Sequence, residues 1–448
     1  MYKISIPPGA KAIITGLRYA NHEAYVVGGC VRDSLLGITP KDWDICTSAT
    51  PDEMKDLFQK NHIRTIDTGL KHGTITANME SAGMFEVTTF RIDGDYSDMR
   101  HPDSVVFTES ITKDLARRDF TINAMAYNPA GLIDPYGGRQ DLERGVIRCV
   151  GNPDDRFKED ALRILRALRF SSTYGFSIEA QTSAAIHRNR FLLKHIASER
   201  IQSEMNKILL GKGVLNVLLE YSDVFAVFIP EFSKCIGFNQ NNSYHKYNVY
   251  DHIAYSVAHY TGSDISVKVA LFLHDIGKPL CYSEDHNGGH FYGHPLISGE
   301  IAETILNRLR FDTKTKNEVL ELVLHHDDDI HPTIKSVKRW LYRIGYDQFM
   351  RLIDVNIADS LAHMPGTQDK WLAGYETARV IANQIIEQEQ CFSLKNLEIN
   401  GHDLLALGFQ EGKEIGTILN EILIKVIDGD LPNKKVELLE YAKGVNHE

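Results

Sequence analysis

The chain has 448 residues, is 43% hydrophobic and 24% charged, and carries a formal charge of −11 from 49 basic and 60 acidic side chains. That composition belongs to a folded multidomain protein; it excludes disorder and a uniformly basic nucleic-acid coat, but not a local basic face. No apolar run approaches bilayer length, the N-terminus lacks a signal-peptide pattern, and the six scattered cysteines contain no CxxC pair, so a cytoplasmic location without a disulfide framework is expected.

In chain order, residues 25–27 read as a strand entering Gly28-Gly29, residues 31–36 turn helical, and residues 43–47 read as a second strand. Residues 74–79 and 85–90 look like a hairpin broken at Ser81-Ala82-Gly83, and the polar stretch 91–102 reads as a loop. After Gly145 helix-period patterns dominate. The reading is therefore α+β, with a small mixed β-sheet head over 1–143 and a mostly α-helical remainder. The helical part divides into a neck over 144–235, a histidine-rich domain over 236–370 and a tail over 371–448.

Most of the chemistry sits near the first glycine turn. Glycines between a strand and a helix let backbone N–H groups approach an anion, and Arg32 follows within the first helical turn, where its fork can grip a phosphate. Asp42 and Asp44 lie two apart on an extended segment and so point to one face. Two carboxylates held together need a cation, and hard oxygen ligands suit Mg2+. Two such ions, roughly 3.5–4 Å apart, activate an attacking hydroxyl and stabilise the leaving group.

Further on, Arg117, Arg118 and Asp119 precede an apolar run that contains Asn123. Residues 159–170 form a strongly amphipathic helical pattern with Asp160 and Arg163 three apart on the polar arc, accompanied by Arg166 and Arg169. A carboxylate that accepts and a guanidinium that donates can together read the Watson–Crick edge of cytosine or adenine. The neck bears Arg188, Arg190, Lys194, Arg200, Lys207 and Lys212, a basic bias hidden by the whole-chain charge.

These segments, GGCVRDSLLG with KDWDICTSATP, then RRDFTINA, then EDALRILRALRF, resemble in order the motifs of class II tRNA nucleotidyltransferases, the CCA-adding enzymes, and of the related bacterial poly(A) polymerases. The resemblance implies a nucleotidyltransferase head on a helical neck and body, acting on tRNA with CTP and ATP and no template. It assigns Asp42 and Asp44 to catalysis and to Mg2+, with Glu86 as a candidate third carboxylate. Gly29 and Arg32 would touch the nucleotide phosphates, and Arg118 would also bind nucleotide. Asp119 and Asn123 would contact the ribose, Asp160 and Arg163 would form the amino-acid template, and Arg166 and Arg169 would bind the nucleotide with them. Within 198–204, SERIQSE resembles the family's ERxxxE element, read here as salt bridges that brace a helix.

Ten of the 19 histidines fall between His245 and His331. His252 on a helical run, the doublet His274-Asp275 ending an apolar helix, and later His294, His325, His326 and Asp359 form a set suited to a divalent metal. LHDIG resembles the signature of the HD phosphohydrolases. That resemblance implies His252, His274, Asp275 and Asp359 as metal ligands, with His245 as a rival to His252, while His294 and His325 would permit a second metal. Four readings of function remain open at this level: full CCA addition, A-only addition, poly(A) synthesis and, from a different class, a nucleotide-regulated HD phosphohydrolase.

Overall fold

The computed structural model describes residues 4–79, 82–96, 100, 102–242, 246–286, 288–366 and 368–445. The chain divides between Pro230 and Glu231 into two compact units.

Among the described residues the first unit carries eleven short strands: β1 (Ala24–Val27), β2 (Ile45–Thr47), β3 (Arg64–Gly69), β4 (Thr74–Asn78), β5 (Met84–Thr89), β6 (Arg91–Asp93), β7 (Val105–Phe107), β8 (Ala126–Asn128), β9 (Gly131–Ile133), and a separate parallel pair of β10 (Val146–Ile147) with β11 (Ser177–Ile178). Seven form one mixed sheet in the order β3-β4-β5-β2-β1-β8-β9. Only β2 and β5 run parallel, with Ile45 opposite Val87; the other neighbours in this sheet are antiparallel. All four residues of β1 are buried, as expected of a central strand covered on both faces. Ile13, Ile14 and Leu17 of the Pro8–Tyr19 helix contribute to the core, and Phe90, Leu115 and Val150 pack with Tyr25 and Val27. The α+β reading stands.

Two local expectations are corrected. Residues 91–93, read as loop, form β6 and pair with β7; with Ile92 as its sole apolar residue, the strand offers no alternation to read. Positions 97–99 and 101 of that segment lie outside the described residues. More consequentially, the amphipathic stretch from 159 is not one helix. The helix Pro153–Glu159 ends at Asp160, whose backbone is extended (φ −139°, ψ 103°), and a new helix runs Leu162–Tyr174. Asp160 causes the break locally: its Oδ1 accepts from the Leu162 N–H at 3.1 Å, offering the backbone an alternative to the helical ladder.

The second unit is helical apart from a hairpin of Ser283–Asp285 with Gly288–His290. At its centre lies the Ile265–Leu273 helix, in which every residue from Ser266 to Leu273 is buried. A helix apolar all round must be enclosed on all sides, so the His274-Asp275 doublet at its end is carried into the interior. The helices Val249–His259, His294–Arg308, Thr313–His325 and Tyr346–Leu361 supply the other histidines and Asp359. C-terminal to these, Leu404, Ile422, Leu423 and Leu438 belong to a separate hydrophobic cluster. No helix among the described residues is long and apolar enough to cross a membrane, and all six cysteines are unpaired.

Candidate functional site

In the first unit, the chain leaves β1 at Gly28 with φ +75°, a left-handed conformation that favours glycine. A Cβ there would also stand 3.0 Å from Nη1 of Arg118. Gly28 is thus a position whose backbone demands glycine. Asp42 and Asp44 lie just before β2 and line one cavity of about 730 Å³ with Glu86 of β5. The sheet brings Glu86 there: β2 and β5 are hydrogen-bonded neighbours, so the residue preceding Val87 sits beside the strand entry that bears Asp44. Desolvation and the adjacent Asp42 charge push the Asp44 carboxyl up, against the pull of Arg118. A carboxyl pushed up by a neighbouring carboxylate in a shared cavity is a donor that a hard divalent cation would relieve.

Beside this, four of the other predicted residues, Arg32, Asn123, Asp119 and Arg166, form one connected network. Arg32 donates through Nη1 to Oδ1 of Asn123 at 2.6 Å, and Asn123 donates to Asp119 at 3.0 Å. Asp119 receives both Nε (2.9 Å) and Nη2 (2.5 Å) of Arg166. Burial alone would raise the Asp119 carboxyl; the Arg166 charge, with hydrogen bonds from Asn123 and Arg166, holds it well below the usual carboxylate range. Arg118 pairs with buried Asp114 at 3.3 Å.

Asp160 and Arg163 do not share a helix face as the spacing predicted, because the helix breaks between them. Arg163 instead donates to Glu159 at 2.6 Å and to the Arg117 carbonyl at 3.1 Å. The ERxxxE element does brace, but what it braces are candidate site residues: Arg200 lies 3.5 Å from Asp160, and Glu204 accepts from Arg169 at 3.1 Å. These two, and Glu159, were missed as site residues. Their periodicity is that of any salt-bridged helix, and only the tertiary pairing reveals their targets.

The basic bias of the neck is largely neutralised within the unit. Arg188 pairs with Asp154, Arg190 with Asp223, Arg200 with Asp160 and Lys207 with Glu204. Among the described residues, Lys194 and Lys212 carry no carboxylate partner.

The second unit gathers the predicted metal residues. Nε2 of His252 and of His274 stand 2.7 and 3.1 Å from Oδ1 of Asp359. Oδ2 of Asp275 lies 3.4 Å from His252, 3.3 Å from His274 and 2.6 Å from Nζ of Lys278. His294 and His326 approach Oδ1 of Asp275 at 3.2 and 3.6 Å. The second-metal expectation is corrected on one residue: His326 joins the cluster, whereas His325 turns away to Asp328 at 2.8 Å. Consecutive helical residues leave the axis about 100° apart, and here that separates the two rings. His245 lies outside the described residues.

The cluster fits a metal. His274, His294 and His326 each bind a backbone carbonyl three residues earlier through Nδ1, at 2.7, 2.9 and 2.8 Å. That fixes the tautomer and turns Nε2 inward, the arrangement by which metal-ligating histidines are oriented. Both oxygens of Asp275 are buried and accept no well-aligned hydrogen bond; the Lys278 ammonium at 2.6 Å offsets part of that cost, and a bound cation would offset more of it. Burial pushes His252 down to about 4 despite Asp359, whereas at His274 the neighbouring Asp275 and Asp359 outweigh burial and raise it to about 10. A cavity of about 310 Å³, lined in part by Lys278, Tyr292, Asp327 and His363, opens onto the cluster.

One stability consequence follows from the first network. Replacing Arg166 with Ala leaves Asp119 buried without its main partner, and breaking such a pair costs about 3–5 kcal/mol. The Asp119 carboxyl is depressed in the folded state, so its stabilisation is present above the unfolded pKa of about 4 and is lost as pH falls through the folded value. Urea unfolding of wild type and Arg166→Ala should therefore differ most at neutral pH, with the gap narrowing progressively as pH falls below about 4. A gap that stays constant with pH would contradict the pairing.

A sheet-bearing head whose acidic pair faces an arginine-rich network, continued by helices, defines a nucleotidyltransferase. The family profile described as "Poly A polymerase head domain" matches residues 24–148, and "Probable RNA and SrmB- binding site of polymerase A" matches 175–236. "tRNA nucleotidyltransferase domain 2 putative" matches 296–442. The CCA-adding enzyme of Levilactobacillus brevis is 33% identical over 436 residues, 96% of each chain. That of Geobacillus thermodenitrificans is 51% identical over 208 residues, 46% of this chain and 50% of its own. The solved CCA-adding enzyme of Bacillus stearothermophilus in complex with CTP superposes with a TM-score of 0.72 at 28% identity, covering 99% of this chain and 98% of that one. The chain belongs to the CCA-adding enzyme family.

Proposed function

We propose that this protein completes the 3' end of tRNA by adding C, C and A from CTP and ATP, releasing pyrophosphate at each step. The observation that carries the reading is the cavity shared by Asp42, Asp44 and Glu86 beside the Gly28 turn and Arg118. Asp42 and Asp44, with Glu86, would hold Mg2+, in the two-ion arrangement, which supplies charge neutralisation at the triphosphate and acidifies the attacking hydroxyl. The chain's own residues bind and orient. Gly29 and Arg32 touch the phosphates, Arg118, Arg166 and Arg169 bind the nucleotide with them, Asp119 and Asn123 position the ribose, and Asp160 and Arg163 read the base, oriented by Arg200 and Glu159. Catalysis on this reading is mostly positioning and electrostatics. The domains proposed are a head to residue 143, a neck to 235, a metal-binding domain to 370 and a tail beyond, in a cytoplasmic protein.

The same chain would carry an HD-type phosphohydrolase site at His252, His274, Asp275 and Asp359, joined by His294 and His326. A divalent metal there would lower the pKa of a bound water and so supply a nucleophile for phosphate ester cleavage. Supporting it is the convergence of four Nε2 atoms on two carboxylates.

The test is direct. tRNA transcripts ending at the discriminator base, after C and after CC are incubated with labelled CTP or ATP, and the products are sized. CTP should extend the first two by two and one residues, and ATP the third by one. ATP incorporation confined to the CC transcript, without any CTP incorporation, would mean A-only addition, and a long heterogeneous tail would mean poly(A) synthesis.

A further inference from the structure

At the base of the arginine network lies an aromatic ring that none of the assignments above uses. Phe170, on the Leu162–Tyr174 helix, is 4% exposed. The guanidinium carbons of Arg169, Arg32 and Arg166 stand 4.2, 5.0 and 5.5 Å from its centroid. All three distances fall within the range of cation–π attraction. Each arginine is also held by a different carboxylate: Arg32 by Asp33 at 2.8 Å, Arg166 by Asp119 at 2.5 Å and Arg169 by Glu204 at 3.1 Å.

The ring is itself fixed. Phe120 meets it edge-on at 5.8 Å and Tyr174 stacks nearly parallel at 6.2 Å. The Tyr174 hydroxyl donates to Oδ1 of Asp33 at 3.0 Å, the same oxygen that binds Arg32, and Arg32 lies over the Tyr174 ring as well. A head arginine and two neck arginines are thereby gathered around one side chain. Three like charges at this spacing repel, and carboxylates on three separate elements would draw them apart. A negative ring face at their centre opposes that.

We propose that Phe170 is a positioning residue for triphosphate binding, its ring converging Arg32, Arg166 and Arg169, with Tyr174 locking Arg32 through Asp33. The proposal rests on the reading of those arginines as nucleotide ligands. An aliphatic side chain of similar bulk fills the same space but offers no ring face, so the arginines relax towards their carboxylates and meet the phosphates less well. Because the triphosphate is common to both substrates, CTP and ATP should be affected alike.

Steady-state kinetics of the full chain decide this. Phe170→Leu should raise KM for both CTP and ATP by about 5–10-fold, with kcat and the KM for tRNA within about twofold. Phe170→Tyr, which keeps the ring, should lie within about twofold of wild type, and Tyr174→Phe should raise both KM values by about 2–3-fold. Wild-type KM values in Phe170→Leu, an effect on one nucleotide only, or equal loss in the leucine and tyrosine variants would overturn the proposal. If Phe170→Leu does not fold, Tyr174→Phe decides: a wild-type KM there overturns it. Arg32→Lys separates the two levels. A raised KM in Arg32→Lys beside a wild-type KM in Phe170→Leu sinks the ring's role alone, whereas a wild-type KM in Arg32→Lys sinks the arginine assignment beneath it.

Discussion

Replacing Asp42 and Asp44 together with Ala should lower nucleotide incorporation by about three orders of magnitude or more, or about 4 kcal/mol of transition-state stabilisation. The size of the effect follows from what the pair does. Asp42 and Asp44 line one cavity with Glu86, and the Asp44 carboxyl is raised by desolvation and by Asp42. Removing both leaves Glu86 as the one remaining carboxylate of the three, too few oxygens for a divalent cation. tRNA binding, read by filter retention or mobility shift, should stay within about threefold, because neutralising two carboxylates removes no phosphate contact. Incorporation at the wild-type rate would dismiss the metal assignment. Parallel loss of tRNA binding would show that the double variant damages the head rather than the chemistry.

The second large effect belongs to the histidine cluster. Wild-type protein titrated with Mn2+, Ni2+, Co2+, Fe2+ or Mg2+ should gain thermal stability with at least one of them, since a ligand at about 100 times its Kd contributes about 2.7 kcal/mol. Asp275→Asn should abolish both that gain and the metal-dependent hydrolysis of an activated phosphate diester. The amide replaces the carboxylate that stands within 3.6 Å of five nitrogens, from His252, His274, His294, His326 and Lys278. Nucleotide incorporation, assigned under the proposed function to the carboxylates of the other unit, should continue in the same sample. Equal stabilisation of Asp275→Asn by metal would place the ion elsewhere, and a wild-type protein inert to every one of these metals would dismiss the site.

Much of both sites was legible because the chemistry clusters in short segments. Gly28-Gly29, Arg32, Asp42 and Asp44 fall within 17 positions of one strand–turn–helix–strand passage. The doublet His274-Asp275 announces itself by ending a helix too apolar to sit at a surface. The least legible feature was the break at Asp160. The apolar stripe from Ala161 to Leu168 continues the periodicity of the preceding turn, and nothing in a 3.6-residue pattern registers one carboxylate capturing one backbone N–H. The choice of His326 over His325 was equally hidden, because adjacent histidines at a helix end differ only in which way the last turn aims them.

By itself, then, the order of residues determined the α+β division, the motif-bearing turn, the acidic pair and the identity of the histidine–aspartate doublet, since each depends on neighbours within a few positions. The tertiary structure alone decided that Glu86 lies beside Asp44, that Asp119 anchors Arg166 across 47 residues, that Arg200 and Glu204 steady Asp160 and Arg169, and that Phe170 collects three arginines. The reason is physical: a charge or a ring is matched to its partner by distance in space, and distance in space between remote segments is fixed by strand register and helix packing, which no local pattern records.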